Sequence, residues 1–231
     1  MSAPRSRAAS GLPPVTASAV VDAAARLTVR SGVDGWTVRQ LAAELGVGAP
    51  VVYHHVGDRD RVVAAVVGRV LASVPVPDRG LPWREWFTAL LTDLRRVALH
   101  HPGVARRALA VGPVAPESAS AVAAGIEVLV AAGFGDEAVG ICRYLVDSAL
   151  ALVSVEDDRN ADPGRRVRQA EAVIGSADGE GGLALAGDWL RARGSDPNTL
   201  RAYDAEHFRY CLARSLDGAQ ARLTTLRRHR R

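Results

Sequence analysis

TVRQLAAELGVGAPVVYHH, residues 37–55, is the stretch that decides the fold. Thr37 followed three residues later by Gln40 is a capping box, in which each side chain satisfies a backbone N–H at a helix start. Leu41, Ala42 and Leu45 then give one apolar face, and Gly46 stands where the residue after a helix takes a positive φ. Ala49 begins a second, short helix. Its Pro50 is tolerated only in a first turn, where the missing N–H has no helical partner. Two helices joined at Gly46, Val47 and Gly48, with Leu41, Leu45 and Val47 facing a preceding helix, have helix-turn-helix spacing. The short helix offers ring faces and polar groups at Tyr53, His54 and His55, and at Val51 methyls that suit a thymine methyl. An ordinary helical corner with a surface histidine pair fits the same spacing.

Helical patterning extends outward in both directions. Thr16 is the N-cap of a first helix with Val20, Ala24, Leu27 and Thr28 on one face, ended by Gly32 and Gly35. Asp58 caps a fourth helix with a broad valine face, closed by Pro75 and Pro77. Further helices are expected over 82–101, 117–132, 136–156, 183–193 and from about Asn198 to 220. Residues 157–182 are polar and glycine-rich and read as a mobile loop, with room for a short helix near 169–174. Residues 1–14 read as a disordered basic arm with Arg5 and Arg7, and 227–231 as a basic tail. No stretch alternates as a strand does. The expected fold class is all-α, with about nine to ten helices.

Composition narrows the function. The 231 residues are 48% hydrophobic and 23% charged, enough to bury a core. All 29 basic residues are arginine. Residues 1–70 hold eight Arg against five acids, and 71–226 hold seventeen against twenty, so a basic front precedes an acidic middle. Cys142 and Cys211 have no CxxC spacing, which argues against a zinc finger or a disulfide framework. Charged residues are expected to interrupt every apolar run before it reaches membrane-spanning length. No apolar segment follows Arg5 and Arg7 as in a signal peptide, so a cytoplasmic location is the default. No GxSxG, HExxH, phosphate-loop or dinucleotide fingerprint is present, so an enzyme is not expected.

From about Val20 to Val70 the sequence resembles the N-terminal domain of TetR-family transcriptional regulators, most closely the tetracycline-repressor branch. The pieces that carry the resemblance are AAARLTVRSGVDGWTVRQLAAELGV, the short helix ending YHHV, and GDRDRVVAAVV. It implies a DNA-binding domain over 15–75, including the linking helix, and an effector-binding and dimerisation domain over 80–226. It further implies that Arg39 reaches a base or phosphate, that Gly48, Ala49, Pro50 and Val51 open the recognition helix, and that Tyr53 and His55 contact phosphates. Thr37, His54 and Arg59 complete the expected DNA-binding set. Arg59 stands where the family usually has lysine. Gly48 and Ala49 are small where many members carry polar base readers, which leaves more of the readout to Arg39, apolar contacts and DNA shape.

The implied partners are a double-stranded, palindromic DNA operator, a second copy of the chain and a small, largely apolar effector that releases a repressor from DNA. The helices over 136–156 and 198–220 are expected to form the dimer seam, where Gly140, Ala149 and Ala151 allow close approach. Candidate cavity walls are Trp83, Trp86, Phe87, Phe134 and Tyr144, with Arg143 and Asp147 as an i, i+4 ion pair able to orient a polar ligand group. Each of these also suits a plain core or surface role. In the tetracycline repressor, histidines of this domain hold the drug as a magnesium chelate. This chain has no histidine between Val62 and Pro82, so neither a metal nor another cofactor is expected. The competing readings are an effector-independent architectural DNA-binding protein and an all-α enzyme using the C-terminal cavity.

Overall fold

The computed structural model describes residues 15–111, 119–175 and 181–229. The arm over 1–14, with Arg5 and Arg7, lies outside them, as do the last two residues of the basic tail. The described residues are helical and contain no strand.

Four helices form the N-terminal unit: α1 (Ala17–Ser31), α2 (Val38–Leu45), α3 (Ala49–Val56) and α4 (Arg59–Ala72). Their boundaries follow from local chemistry. The Thr16 hydroxyl accepts from the Ala19 N–H at 3.1 Å. At α2 the capping box closes in both directions: the Gln40 N–H donates to Thr37 Oγ1 at 3.2 Å, and the Thr37 N–H to Gln40 Oε1 at 2.8 Å. Gly46 ends α2 at φ 65°, a conformation that strains any residue with a Cβ. The Asp58 carboxylate caps α4 at the Arg61 N–H. Val20, Leu41, Val52, Val62 and Val66 are fully buried where these helices meet. Trp36 closes that core from the α1–α2 loop. Its indole N–H donates to Thr28 Oγ1 at 3.0 Å, and the Thr28 hydroxyl donates to the Ala24 carbonyl at 2.9 Å.

The remainder is a body of seven helices: α5 (Trp83–Leu99), α6 (Val104–Val111), α7 (Ala119–Ala132), α8 (Ala138–Asn160), α9 (Pro163–Gly175), α10 (Gly182–Arg193) and α11 (Pro197–His229). α8 is its axis, packed against α5, α6, α7, α9 and α11, while α4 joins the two parts by packing on α1, α5 and α6.

Three expectations need correction. The eleven α-helices among the described residues exceed the nine to ten expected, because α6 falls in a stretch left unassigned and α9 is a full thirteen-residue helix. The loop expected over 157–182 is therefore mostly helix: α8 runs to Asn160 and α9 follows after two residues. Charges also do not interrupt every apolar run. By length and composition the helical stretch Gly135–Asn160 could cross a membrane, since an 18-residue window in it carries no more than two charged residues. Its many helical neighbours show it as the core helix of the body. The last helix continues through Arg227 and Arg228 to His229, and Arg227 donates to the Ala132 carbonyl at 2.9 Å.

The end of α8 explains its length. Glu156, Asp157 and Asp158 are three successive acids at a helix C-terminus, where the helix dipole disfavours negative charge. Each has its own partner. Arg95 of α5 grips Glu156 with two hydrogen bonds at 3.0 and 2.7 Å, the Gly103 N–H donates to Asp157 Oδ2 at 2.9 Å, and Arg106 of α6 pairs with Asp158. Gly103 in turn belongs to the turn on which the α1–α2 loop rests. The Val33 N–H donates to the Pro102 carbonyl at 2.8 Å, and Arg107 of α6 pairs with Asp34. Gly103 has φ +85°, and a Cβ there would sit 2.8 Å from Val33 Cγ1, so the approach depends on glycine.

Two predictions follow from these contacts. Thr28→Val keeps the shape but strands the Trp36 indole N–H, so denaturant unfolding is expected to show a loss of about 1–3 kcal/mol; an unchanged midpoint would remove the Thr28–Trp36 bond as a stabilising element. Burial pushes the Asp157 carboxyl up to about 6 from an ordinary value of 3.8, against the opposing pull of the Gly103 N–H. A raised folded-state value means that this group's contribution to stability is complete below about 3.8 and is lost as pH rises through about 6. Asp157→Asn keeps an acceptor for Gly103. Its melting temperature relative to wild type is therefore expected to be more favourable at pH 7 than at pH 4, and a pH-independent difference would contradict this assignment.

Candidate functional site

The short helix α3 is held from below by Val52, which is fully buried, with Ala49, Val51 and His55 half-buried beside it. Pro50, Tyr53 and His54 point outward, and Tyr53 is 51% exposed. The His54 and His55 rings meet edge-on at 5.3 Å. Gly48 is the N-cap residue of α3, extended at φ −77°, and Pro50 sits in the first turn. Arg39, in the first turn of α2, is exposed, and among the described residues its side chain makes no hydrogen bond or ion pair. Thr37 is committed to its capping box. The turn thus brings Arg39, Pro50, Tyr53 and His54 to the surface on one helix-turn-helix unit. The acid Glu44, on the same helix as Arg39, is ion-paired. Its hydrogen bond with Arg30 at 2.6 Å, helped by Arg26, holds its carboxyl below the usual range.

Arg59 has a different environment from the other expected members of this set. Its guanidinium donates to the Trp36 carbonyl at 3.2 Å and the Val33 carbonyl at 2.9 Å, and it stacks over the Trp36 ring at 4.9 Å. It ties α4 to the α1–α2 loop. The sequence held the signal for this, an arginine at the start of α4 and a tryptophan in the loop, but not their proximity.

A small apolar cavity of about 60 Å³, open to solvent at its mouth, lies in the body beside the end of α4. Leu71 and Val74 come from that end of the chain, Leu94 from α5, Val122 from α7, and Cys142 and Asp147 from α8. Burial pushes the Cys142 thiol up to about 11, which keeps it neutral. Of the wall residues expected from sequence, Asp147 is the one found in the described lining. Trp86, Phe87 and Phe134 are wholly buried core, and Trp83 stacks edge-on against Phe134 at 5.3 Å. Arg143 pairs with Asp147 at 3.2 Å, and Tyr144 is half exposed, its hydroxyl 3.3 Å from Ser215 on α11. The walls that sequence reasoning missed are aliphatic. They carry no aromatic or charged marker and come from five separate helices.

α8 and α11 also share an open face. Val139, Val155 and Tyr210 are exposed there, and a groove lined by Leu152, Val155, Phe208 and Cys211 runs between the two helices. Gly140 and Ala151 lie on exposed positions, whereas Ala149 is buried within the body. Among the described residues no cluster of three or more His, Cys, Asp or Glu is placed to hold a metal ion.

Residues 20–66 match the model of the bacterial regulatory proteins of the tetR family. An HTH-type transcriptional regulator of Saccharopolyspora erythraea is 34% identical over 146 residues, which cover 60% of this chain and 61% of that one. The chain therefore spans about three-fifths of that relative's length. The class A tetracycline repressor protein from transposon 1721 of Escherichia coli is 31% identical over 153 residues, covering 64% of this chain and 69% of that protein. The crystal structure of the Streptomyces coelicolor TetR family protein ActR in complex with (S)-DNPA superposes with a TM-score of 0.70 at 25% identity, over 90% of this chain and 98% of that one.

The two arginines are expected to behave in opposite ways. Arg59→Ala should cost about 1–3 kcal/mol in denaturant unfolding, since it leaves the Val33 and Trp36 carbonyls without their charged donor. Arg39→Ala should stay within about 0.5 kcal/mol of wild type. Equal losses would contradict the division of labour between them.

Proposed function

Because the chain belongs to the TetR family, whose members are ligand-responsive DNA-binding transcriptional regulators and mostly repressors, we propose that it is a repressor that binds a palindromic operator as a homodimer and is released by a small, largely apolar effector. The relatives compared above are a transcriptional regulator, a repressor and a TetR family protein. The observation that carries the reading is the surface at α2 and α3. It has an exposed Arg39, without a hydrogen bond or ion pair among the described residues, and outward-facing Pro50, Tyr53 and His54 on a helix anchored by Val52. In this reading α3 enters the major groove. Ala49, Pro50 and Val51 lie against base edges, and Tyr53, His54 and His55 reach the backbone. Arg39 supplies the charge, with Thr37 and Gly48 shaping the turn.

The exposed face of α8 and α11 supplies the dimer seam, with four helices when doubled by a two-fold axis. One α3 per half-site reads only a few base pairs, so two copies one helical turn apart are needed for useful affinity. The effector occupies the cavity lined by Leu71 and Val74. Filling it displaces the end of α4, which changes the separation of the two α3 helices and weakens their fit to the half-sites. The protein acts in the cytoplasm, where its DNA is.

Fluorescence anisotropy with duplexes from upstream of the protein's own gene tests this reading. A sequence-specific, salt-sensitive complex is expected. Arg39→Ala should weaken it several-fold and lower the salt slope by about 1. Binding that ignores sequence, or no binding at low salt, would overturn it.

A further inference from the structure

We propose that the cavity beside α4 selects a lipophilic cation, an apolar molecule with one delocalised positive charge that seats against Asp147. This rests on the cavity being the effector site, and it adds the charge of the ligand.

The lining is hydrocarbon apart from two side chains, Cys142 and Asp147, among the described residues. The thiol is neutral, since burial pushes it up to about 11. Asp147 is thus the single charge in the described wall, and no arginine or histidine stands among the lining residues. One oxygen of Asp147, Oδ2, accepts from Arg143 Nε at 3.2 Å; Oδ1 takes no hydrogen bond from the described residues. Arg143 itself is outside the lining, with its side chain 70% exposed. An ion pair so open to water is weak and screened, and it leaves the carboxylate available to a second cation arriving from the cavity side.

Ligand charge decides which molecules fit such a wall. An anion entering here leaves its water for a surface that presents a carboxylate and, at Cys142, only a weak S–H donor, so its desolvation is poorly compensated. A neutral apolar molecule gains the burial of its surface and nothing from Asp147. A cation whose charge is spread over a large apolar body gives up little hydration, gains the same burial, and adds attraction to the carboxylate at reduced dielectric. The enclosed part holds about 60 Å³, so the aliphatic walls must part to admit such a molecule from the open mouth. The overall charge of the chain is +4, so long-range attraction alone would favour anions, and a preference for cations has to arise locally.

Calorimetric titration of the full chain with three probes of similar shape tests this. They are tetraphenylphosphonium, tetraphenylborate and neutral triphenylphosphine oxide, at one fixed ionic strength. The phosphonium is expected to bind about tenfold or more tighter than the oxide, and the borate more weakly than either. Asp147→Asn should reduce phosphonium affinity by about tenfold and leave the oxide unchanged; the residue is partly exposed, so the variant folds. Equal affinity for the phosphonium and the oxide, tighter binding of the borate, or an Asp147→Asn variant that keeps its phosphonium affinity would overturn the cation preference while leaving the cavity a ligand site. Failure of all three probes to bind would overturn the cavity reading itself.

Discussion

The structure turns on the seat of the α1–α2 loop against the turn between α5 and α6. Val33 donates its N–H to the Pro102 carbonyl, Asp34 pairs with Arg107, and Gly103 clears the space that Val33 fills. On one side of this seat Arg59 and Trp36 lock the loop to α4 and to the core of the N-terminal unit. On the other side the Gly103 N–H is held by Asp157 at the end of α8. A chain of contacts thus runs from the axis helix of the body, through one glycine turn, to the loop that carries the helix-turn-helix. The position of α3 relative to the body is set by this seat together with α4, and the seat is made of few, directional interactions. Such interactions change between discrete arrangements more readily than a packed apolar interface does.

The cavity stands next to the second of these links. Leu71 and Val74 line it from the chain at the end of α4, and Val63, Val66 and Val70 of the same helix are buried. A molecule in the cavity and a duplex against α3 would therefore both bear on α4. For that coupling to be real, the ligand must contact the two positions of α4 differently, since equal contact shifts nothing. The aliphatic end of α4 is placed for this, since Leu71 and Val74 sit at the cavity wall where a ligand would touch them.

The helix-turn-helix was legible because its signals are local. Thr37 and Gln40 form the capping box that their spacing predicts, Gly46 is left-handed, and Pro50 lies in a first turn. The rest of the molecule depends on contacts distant in sequence. Asp157 and Asp158, followed by Arg159 and Asn160, read as the start of a loop. They are helical because Arg95, Gly103 and Arg106, some fifty to sixty residues earlier, offset the unfavourable charge at the helix end. α9 is polar overall with only Ala170 buried, so its composition reads as loop although its few apolar residues keep helical spacing. Arg59 reads as a phosphate contact in sequence, yet the fold brings two loop carbonyls and an indole ring to it first. Large aromatics suggested cavity walls, but Trp86, Phe87 and Phe134 fill the core, and the space left over is bounded by smaller aliphatic residues.

The central claim is that two copies of α3 read DNA together, and selection of bound duplexes from a random-sequence pool by the full-length protein tests it most directly. The predicted outcome is an inverted repeat whose half-sites are centred one helical turn, about 34–36 Å, apart. Enrichment of a single asymmetric site, or of no sequence at all, would contradict it.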